Sequence, residues 1–191
     1  MKTAFFISCL LVSGSMMLRS HSSEPSSVTI YKTTKARRSF SPQPIQPVRI
    51  VINKSSYELS VYDAQGWYAT YPVVFGNSSL NDKKMEGDRN TPEGSFKIVN
   101  KRPHEKWDRF MMLDYPNKET YEKFSEWKKR GIIPSSARPG GGIGIHGTWP
   151  HEDFVVDRYN NWTNGCISLK REDVEDLYTY VPVGTSVVIK R

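Results

Sequence analysis

Between residues 48 and 75, apolar and polar positions alternate in short runs broken by turn residues. Val48, Ile50 and Ile52 bracket Arg49 and Val51, and Asn53-Lys54-Ser55-Ser56 interrupts the pattern. Residues 57–62 alternate again, Asp63-Ala64-Gln65-Gly66 supplies the next turn, and a third run over 67–75 ends at Gly76. Period-two alternation bounded by Asn, Asp, Ser and Gly predicts half-buried strands joined by tight turns. Pro72 cannot donate to a ladder, which places it at an edge or a bulge. Residues 77–90 are polar and predict a loop. Thr91-Pro92-Glu93-Gly94 then introduces a strand over 95–99, and residues 110–115 predict another extended segment.

The period changes to that of a helix twice. Over 118–130, Asn117 is placed to cap the start and Gly131 to close the end in a left-handed turn, while Tyr121, Phe124 and Trp127 share one face. Over 171–180, Val174, Leu177 and Tyr178 point inward. Between these helices, Gly140-Gly141-Gly142 precedes a strand over 143–146. After them, Pro182-Val183-Gly184-Thr185 turns into a last strand over 186–189. The sum is a mostly β domain over 48–191 with two short helices, long enough to bury one sizeable core.

The first 47 residues carry a different pattern. Lys2, an apolar run over 4–12 and the small residues Ser13-Gly14-Ser15 match the three parts of an export signal, and the run is too short for a stable membrane span. Met16-Met17-Leu18 prolongs the apolar character, so the signal is assigned to 1–18 with cleavage expected near Ser15. Left uncut, the same segment is an anchor, and membrane contact is expected through it alone. Residues 19–47, rich in Ser, Thr, Pro and basic side chains, predict a flexible tether. The chain is therefore expected to be exported, to the periplasm or cell envelope.

The formal net charge is +7, and removal of residues 1–15 takes away Lys2 alone and leaves +6. A basic exported protein is drawn to anionic envelope polymers or headgroups. The charges are scattered and no nucleic-acid motif is present, so no nucleic-acid partner is expected.

Cysteine usage sharpens the picture. The chain has two cysteines, and Cys9 lies in the signal. The mature protein would keep one unpaired thiol, Cys166, as a dimer link or a reactive group. It sits in Thr163-Asn164-Gly165-Cys166-Ile167-Ser168, twenty residues after His146 in Ile145-His146-Gly147-Thr148. A thiol attacks carbonyls as thiolate and needs a base or a positive field to ionise below its free pKa of about 8.5. A histidine at a strand end can be that base. Gly165 permits unusual backbone angles, and a tight turn there would aim backbone N–H groups, including that of Cys166, at a developing oxyanion. No acidic third member is evident, so the carbonyl of Gly147 or a neighbour is expected to orient the imidazole. The rival chemistry is zinc held by Cys166 with His146, His151 or His104. Their spacings do not suit it, and neither metal nor cofactor is expected.

At these residues the chain resembles the L,D-transpeptidase catalytic domain (YkuD-like) family. The family pattern of His-Gly, a spacer, then Ser/Thr-x-Gly-Cys and an apolar residue stands here as His146-Gly147-Thr148 and Thr163-Asn164-Gly165-Cys166-Ile167. Thr91-Pro92-Glu93-Gly94-Ser95-Phe96, Tyr115-Pro116-Asn117, the 140–147 segment and Val183-Gly184-Thr185 also look familiar, so the resemblance covers about 48–190. It implies a β-sandwich or barrel-like L,D-transpeptidase fold. It also implies a cysteine acyltransferase that forms a thioester with a peptidoglycan tetrapeptide stem, releases D-alanine and passes the acyl group to an amine.

In that reading Cys166 is the nucleophile and His146 the base. Gly147, Thr163, Asn164, Gly165 and Ser168 contribute oxyanion or substrate contacts, and carbapenem-type inhibitors acylate the thiol. Two departures bear on substrate choice: Asn164 stands where many members have His or Lys, and Ser168 where many have Arg. The spacer is long and aromatic, with Trp149, His151, Phe154 and Trp162 either lining a groove or packing the loop. Two other readings stay open. Water as acceptor would make a carboxypeptidase or peptidoglycan hydrolase, and a degenerate site would leave a non-enzymatic envelope-binding module.

Overall fold

The computed structural model of the chain describes residues 34–38 and 43–191. The expected signal and the first part of the expected tether lie outside the described residues.

Among the described residues, nine strands and three helices follow in order: β1 (Ala36–Arg37), β2 (Arg49–Asn53), β3 (Glu58–Asp63), β4 (Gly66–Pro72), β5 (Gly94–His104), β6 (Asp108–Leu113), α1 (Lys118–Lys129), β7 (Gly144–Gly147), α2 (Phe154–Asp157), β8 (Ile167–Leu169), α3 (Arg171–Tyr180) and β9 (Ser186–Lys190). The strands run in the order β1-β4-β3-β2-β9-β5-β6-β7-β8. The pairs β2–β9 and β7–β8 are parallel and the others antiparallel. β5 links two halves: Gly94–Lys97 pairs with β9, and Ile98–His104 pairs with β6 after a register shift near Ile98. The fold is mostly β, as expected.

The alternation reads directly into burial. Ile50 and Ile52 on β2, Leu59 and Val61 on β3, and Val187 and Ile189 on β9 point to one core with Ile98, Met111, Ile145, Ile167, Val174 and Leu177. Each such side chain contributes roughly 1.5–3 kcal/mol by leaving water. Asn117 caps α1 by accepting from the Thr120 amide at 3.1 Å, and Gly131 follows the helix at φ +67°. Of the three side chains expected to share one face of α1, Phe124 is buried and Tyr121 is 52% exposed.

Three elements go beyond the sequence reading. β5 runs five residues past Val99 through a polar stretch containing Pro103. β8 is three residues long, and α2 is a single turn inside the spacer. The stretch expected as tether also contributes β1, which pairs with β4. Beside it, Lys35 and Arg37 reach Asp173 and Asp176 of α3, and Arg38 pairs with Asp63. α3 covers one face of β6 and β7, and a Cβ on Gly147 would meet Val174 Cγ1 at 3.0 Å. Side chains alternate across a strand, so His146 faces the other way.

Candidate active site

Register places the candidate residues. Arg102 stands opposite Phe110, Phe110 opposite His146, and His146 opposite Ser168, a row across β5, β6, β7 and β8. One step along, Met112 stands opposite Gly144. Since Ile145 pairs with Ile167, Cys166 falls beside Gly144 at the mouth of β8. Cys166 and His146 are diagonal neighbours on one face, within side-chain reach. Both line a cavity of about 640 Å³ whose walls are Arg102, Trp107, Phe110, Met112, Trp149 and Trp162. Thr163 and Asn164 complete it. A second cleft of equal volume, beside Gln46, Asp63 and Pro182, is lined by neither cysteine nor histidine.

His146 is buried, and its Nδ1 lies 2.7 Å from the Gly147 carbonyl. A carbonyl only accepts, so Nδ1 carries the hydrogen and Nε2 is the free base. The Trp107 indole stacks on the His146 imidazole with centroids 4.5 Å apart, and Trp162 meets it edge-on at 5.6 Å. Burial pushes the His146 pKa down to about 4, partly opposed by the Gly147 bond, and nearby His104 lowers it further.

The Cys166 thiol donates to the Gly142 carbonyl at 3.5 Å. Although Cys166 keeps some open surface on the cavity, the packing around its sulfur pushes the thiol pKa up to about 11. The Gly144 N–H and the positive charge of Lys83 pull the other way. Lys83 is itself buried and paired with Asp88 at 2.8 Å. At neutral pH the resting pair is thus thiol and imidazole, not thiolate and imidazolium.

The loop before Cys166 is tied by Thr163, whose hydroxyl donates to the Cys166 carbonyl at 2.7 Å and accepts from the Gly165 N–H at 3.1 Å. That bond occupies the Gly165 N–H, which therefore is not a free oxyanion donor; the Cys166 N–H remains the expected one. Gly165 has φ +122°, and a Cβ there would stand 2.8 Å from the Asn90 carbonyl. Loop 77–93 packs against this turn, and Arg89 donates to the carbonyls of Thr163 and Trp162 at 3.4 and 3.3 Å.

The structure thus brings Cys166, His146, Thr163 and Asn164 to one cavity, with Gly147 and Gly165 behind them. Ser168 is fully buried and its hydroxyl has no hydrogen-bond partner, so it presents no surface to a ligand. Trp149 and Trp162 line the groove, whereas Phe154 is 45% exposed and His151 is exposed at φ +66°. Arg102, Trp107, Phe110 and Met112 were not picked out from the sequence. Their signal was the parity of Phe110 and Met112 within an extended segment. Among the described residues, no cluster of three or more His, Cys, Asp or Glu side chains could hold a metal ion.

A statistical description of the L,D-transpeptidase catalytic domain matches residues 47–189. The chain belongs to this family. A Bacillus subtilis (strain 168) protein provisionally named an L,D-transpeptidase, YqjB, is 28% identical over 144 residues, covering 73% of this chain and 69% of that one. Among solved structures, the helical cell shape determining protein Pgp2 of Campylobacter jejuni superposes with TM-score 0.54 at 21% identity, covering 75% of this chain and 47% of that one. L,D-transpeptidase 3 of Mycobacterium tuberculosis, solved with a faropenem-derived adduct, gives 0.51 at 16% identity, covering 75% and 60%. The chain spans about half the length of Pgp2. At these identities the structures support the L,D-transpeptidase fold.

Proposed function

We propose that this L,D-transpeptidase-family chain is an exported peptidoglycan transpeptidase with Cys166 as nucleophile and His146 as base. The observation that carries the reading is the diagonal placement of the thiol and the free Nε2 base on one face of β7 and β8, over a single aromatic cavity. Because the pair rests neutral, the proton moves as the sulfur attacks. His146 Nε2 takes the thiol proton while Sγ bonds to the carbonyl carbon at the L-centre of the stem's diamino acid. The Cys166 N–H faces the developing oxyanion. The C–N bond to the terminal D-alanine then breaks, and the imidazolium returns its proton to the leaving amine. The thioester is opened by an acceptor amine, whose proton passes through His146 back to the sulfur. Trp107, stacked on the imidazole, favours the transient cation. Carbapenem-type lactams are expected to acylate the same sulfur, in keeping with the adduct carried by the M. tuberculosis relative.

The test is a product assay on the full chain with disaccharide-tetrapeptide, read by mass spectrometry beside Cys166→Ala and His146→Ala. Cross-linked dimer made by the parent and lost in both variants supports the proposal. Tripeptide without dimer makes water the acceptor. Dimer formation that survives in either variant refutes the assigned roles.

A further inference from the structure

The row Arg102–Phe110–His146–Ser168 ends in a cation on one side and a buried, unpartnered hydroxyl on the other. Arg102 lines the Cys166 cavity, with its guanidinium 5.3 Å from the Phe110 ring centroid. The guanidinium has neither a carboxylate partner nor a hydrogen bond among the described residues. Other cations near the site are engaged: Lys83 with Asp88, Arg109 with Asp108 and Glu175, and Arg89 with two carbonyls. Lys106 is the other exception. Its ammonium lies 5.3 Å from the Trp149 ring centroid, in a neighbouring cleft of about 520 Å³. That cleft shares Arg102, Trp107 and Trp149 with the Cys166 cavity, so the two form one trough. Glu105 is the acid that lines it. His104, beneath this trough, accepts from the backbone N–H of Lys106 and of Trp107 at Nδ1 and stacks on Trp107, which holds the Lys106 turn against the aromatic wall.

We propose that Arg102, with Lys106 beside it, binds a free carboxylate of the peptide that occupies the Cys166 cavity, and so selects unblocked over amidated stems. This rests on the peptide-stem reading above. A guanidinium held by an aromatic face, without a counter-ion and open to the trough, keeps its planar donor edge for a bidentate acceptor. Ser168 is too short and too buried to do this from the far end of the row. The carboxylate belongs either to the acyl donor or to the acceptor, and the two are separable.

The test is a binding titration on the full chain carrying Cys166→Ala, by NMR or calorimetry. The ligands are disaccharide-tetrapeptide and the same compound with its carboxyl groups converted to carboxamides. Adding Arg102→Gln should weaken the acid ligand about tenfold and the amide less than twofold, with Arg102→Lys recovering part of the loss. An equal effect on both ligands, no effect on either, or no binding of the acid ligand by the parent overturns the proposal. In the Cys166 protein, a slower single-turnover acylation in Arg102→Gln assigns the carboxylate to the donor. A slower thioester resolution alone assigns it to the acceptor. If the parent binds the acid ligand through Arg102 yet turns nothing over, the transpeptidase reading fails while this inference stands.

Discussion

His146 donates from Nδ1 to the carbonyl of its own neighbour, Gly147, over 2.7 Å. The bond orients the imidazole without a carboxylate, so no buried negative charge is present to raise the basicity of Nε2. The imidazole, its pKa pushed down to about 4, therefore rests neutral beside a protonated thiol whose pKa is pushed up to about 11 by burial. Iodoacetamide, which needs a preformed thiolate, should find Cys166 slow. Against the ordinary value of 9.0, the thiolate fraction at pH 7.5 falls about a hundredfold. Peptide mass spectrometry of alkylated Cys166, native against urea-unfolded, measures this. Equal or faster native labelling would mean an ion pair is already formed.

The same burial makes stability depend on pH. The His146 pKa is about 4 in the folded chain against an ordinary 6.5, so the unfolded state binds more protons between those values. Stability contributed by neutral His146 is complete above pH 6.5 and is lost as pH falls toward 4, by on the order of 3 kcal/mol. Cys166, shifted upward, loses stability instead as pH rises from 9 toward 11. Urea unfolding at pH 4.5 and 7 should show the acid loss, and His146→Gln should flatten it. An unchanged difference in the variant would assign the acid loss to other groups.

How much of this could be read from the sequence depended on range. The strands β2, β3 and β9 follow a local alternation, and Asn117 caps α1 through a contact three residues away. The pair Cys166 and His146 was legible because two short motifs flank a spacer. The far wall of the cavity was not. Arg102 and Phe110 reach it only through a ladder that continues past Pro103, and Pro103 in a polar stretch conceals that strand. Likewise nothing in the motif said which backbone groups the Thr163 hydroxyl would bind, and it turns back on the Gly165 N–H. α1 shows the same limit, since helical spacing alone did not say that Tyr121 would stay in solvent.

Lys54 is completely buried at the end of β2. Its ammonium meets Glu93 at 2.6 Å and donates to the carbonyls of Asn81 at 3.0 Å and Thr91 at 3.2 Å. It thereby pins both sides of the loop that packs on the Thr163–Cys166 turn. Lys54→Met removes the charge and keeps the bulk, leaving the Thr91 carbonyl and part of Glu93 without a partner. The expected cost is about 3 kcal/mol, at the low end for a broken buried pair because Glu93 keeps contact with water. Denaturant unfolding reads it, and a change below about 1 kcal/mol would show that water takes over the role of the ammonium.

Ser168 tests the opposite case. Its hydroxyl is buried without a partner, and an unsatisfied buried polar group is a net cost. Ser168→Ala removes that group with little change in volume and is expected to leave stability unchanged or raise it by about 1 kcal/mol. A loss of the same size in thermal or urea unfolding would reveal a hydrogen bond to that hydroxyl in solution.

At Gly76 the Thr163–Cys166 turn and the 77–93 loop pack closely against the backbone. A Cβ there would stand 2.0 Å from the Arg89 carbonyl, 2.6 Å from the Gly165 N and 2.9 Å from the Thr163 carbonyl. All three atoms are backbone, so no side chain can swing away and one loop must shift. Overpacking of this kind costs about 1–3 kcal/mol in stability. The larger effect should be on catalysis, because the displaced atoms hold Thr163 and Gly165 and so the aim of Cys166. A misplacement of about 1 Å can cost about a hundredfold in rate. Gly184→Ala supplies the contrast: its φ is +92° but a Cβ would meet nothing within 4 Å, so it carries backbone strain far from the site. Gly76→Ala should therefore slow Cys166 acylation about a hundredfold, whereas Gly184→Ala should lower stability and leave that rate within about twofold. If both variants acylate at the parent rate, the close packing beneath the catalytic turn does not set the geometry of attack.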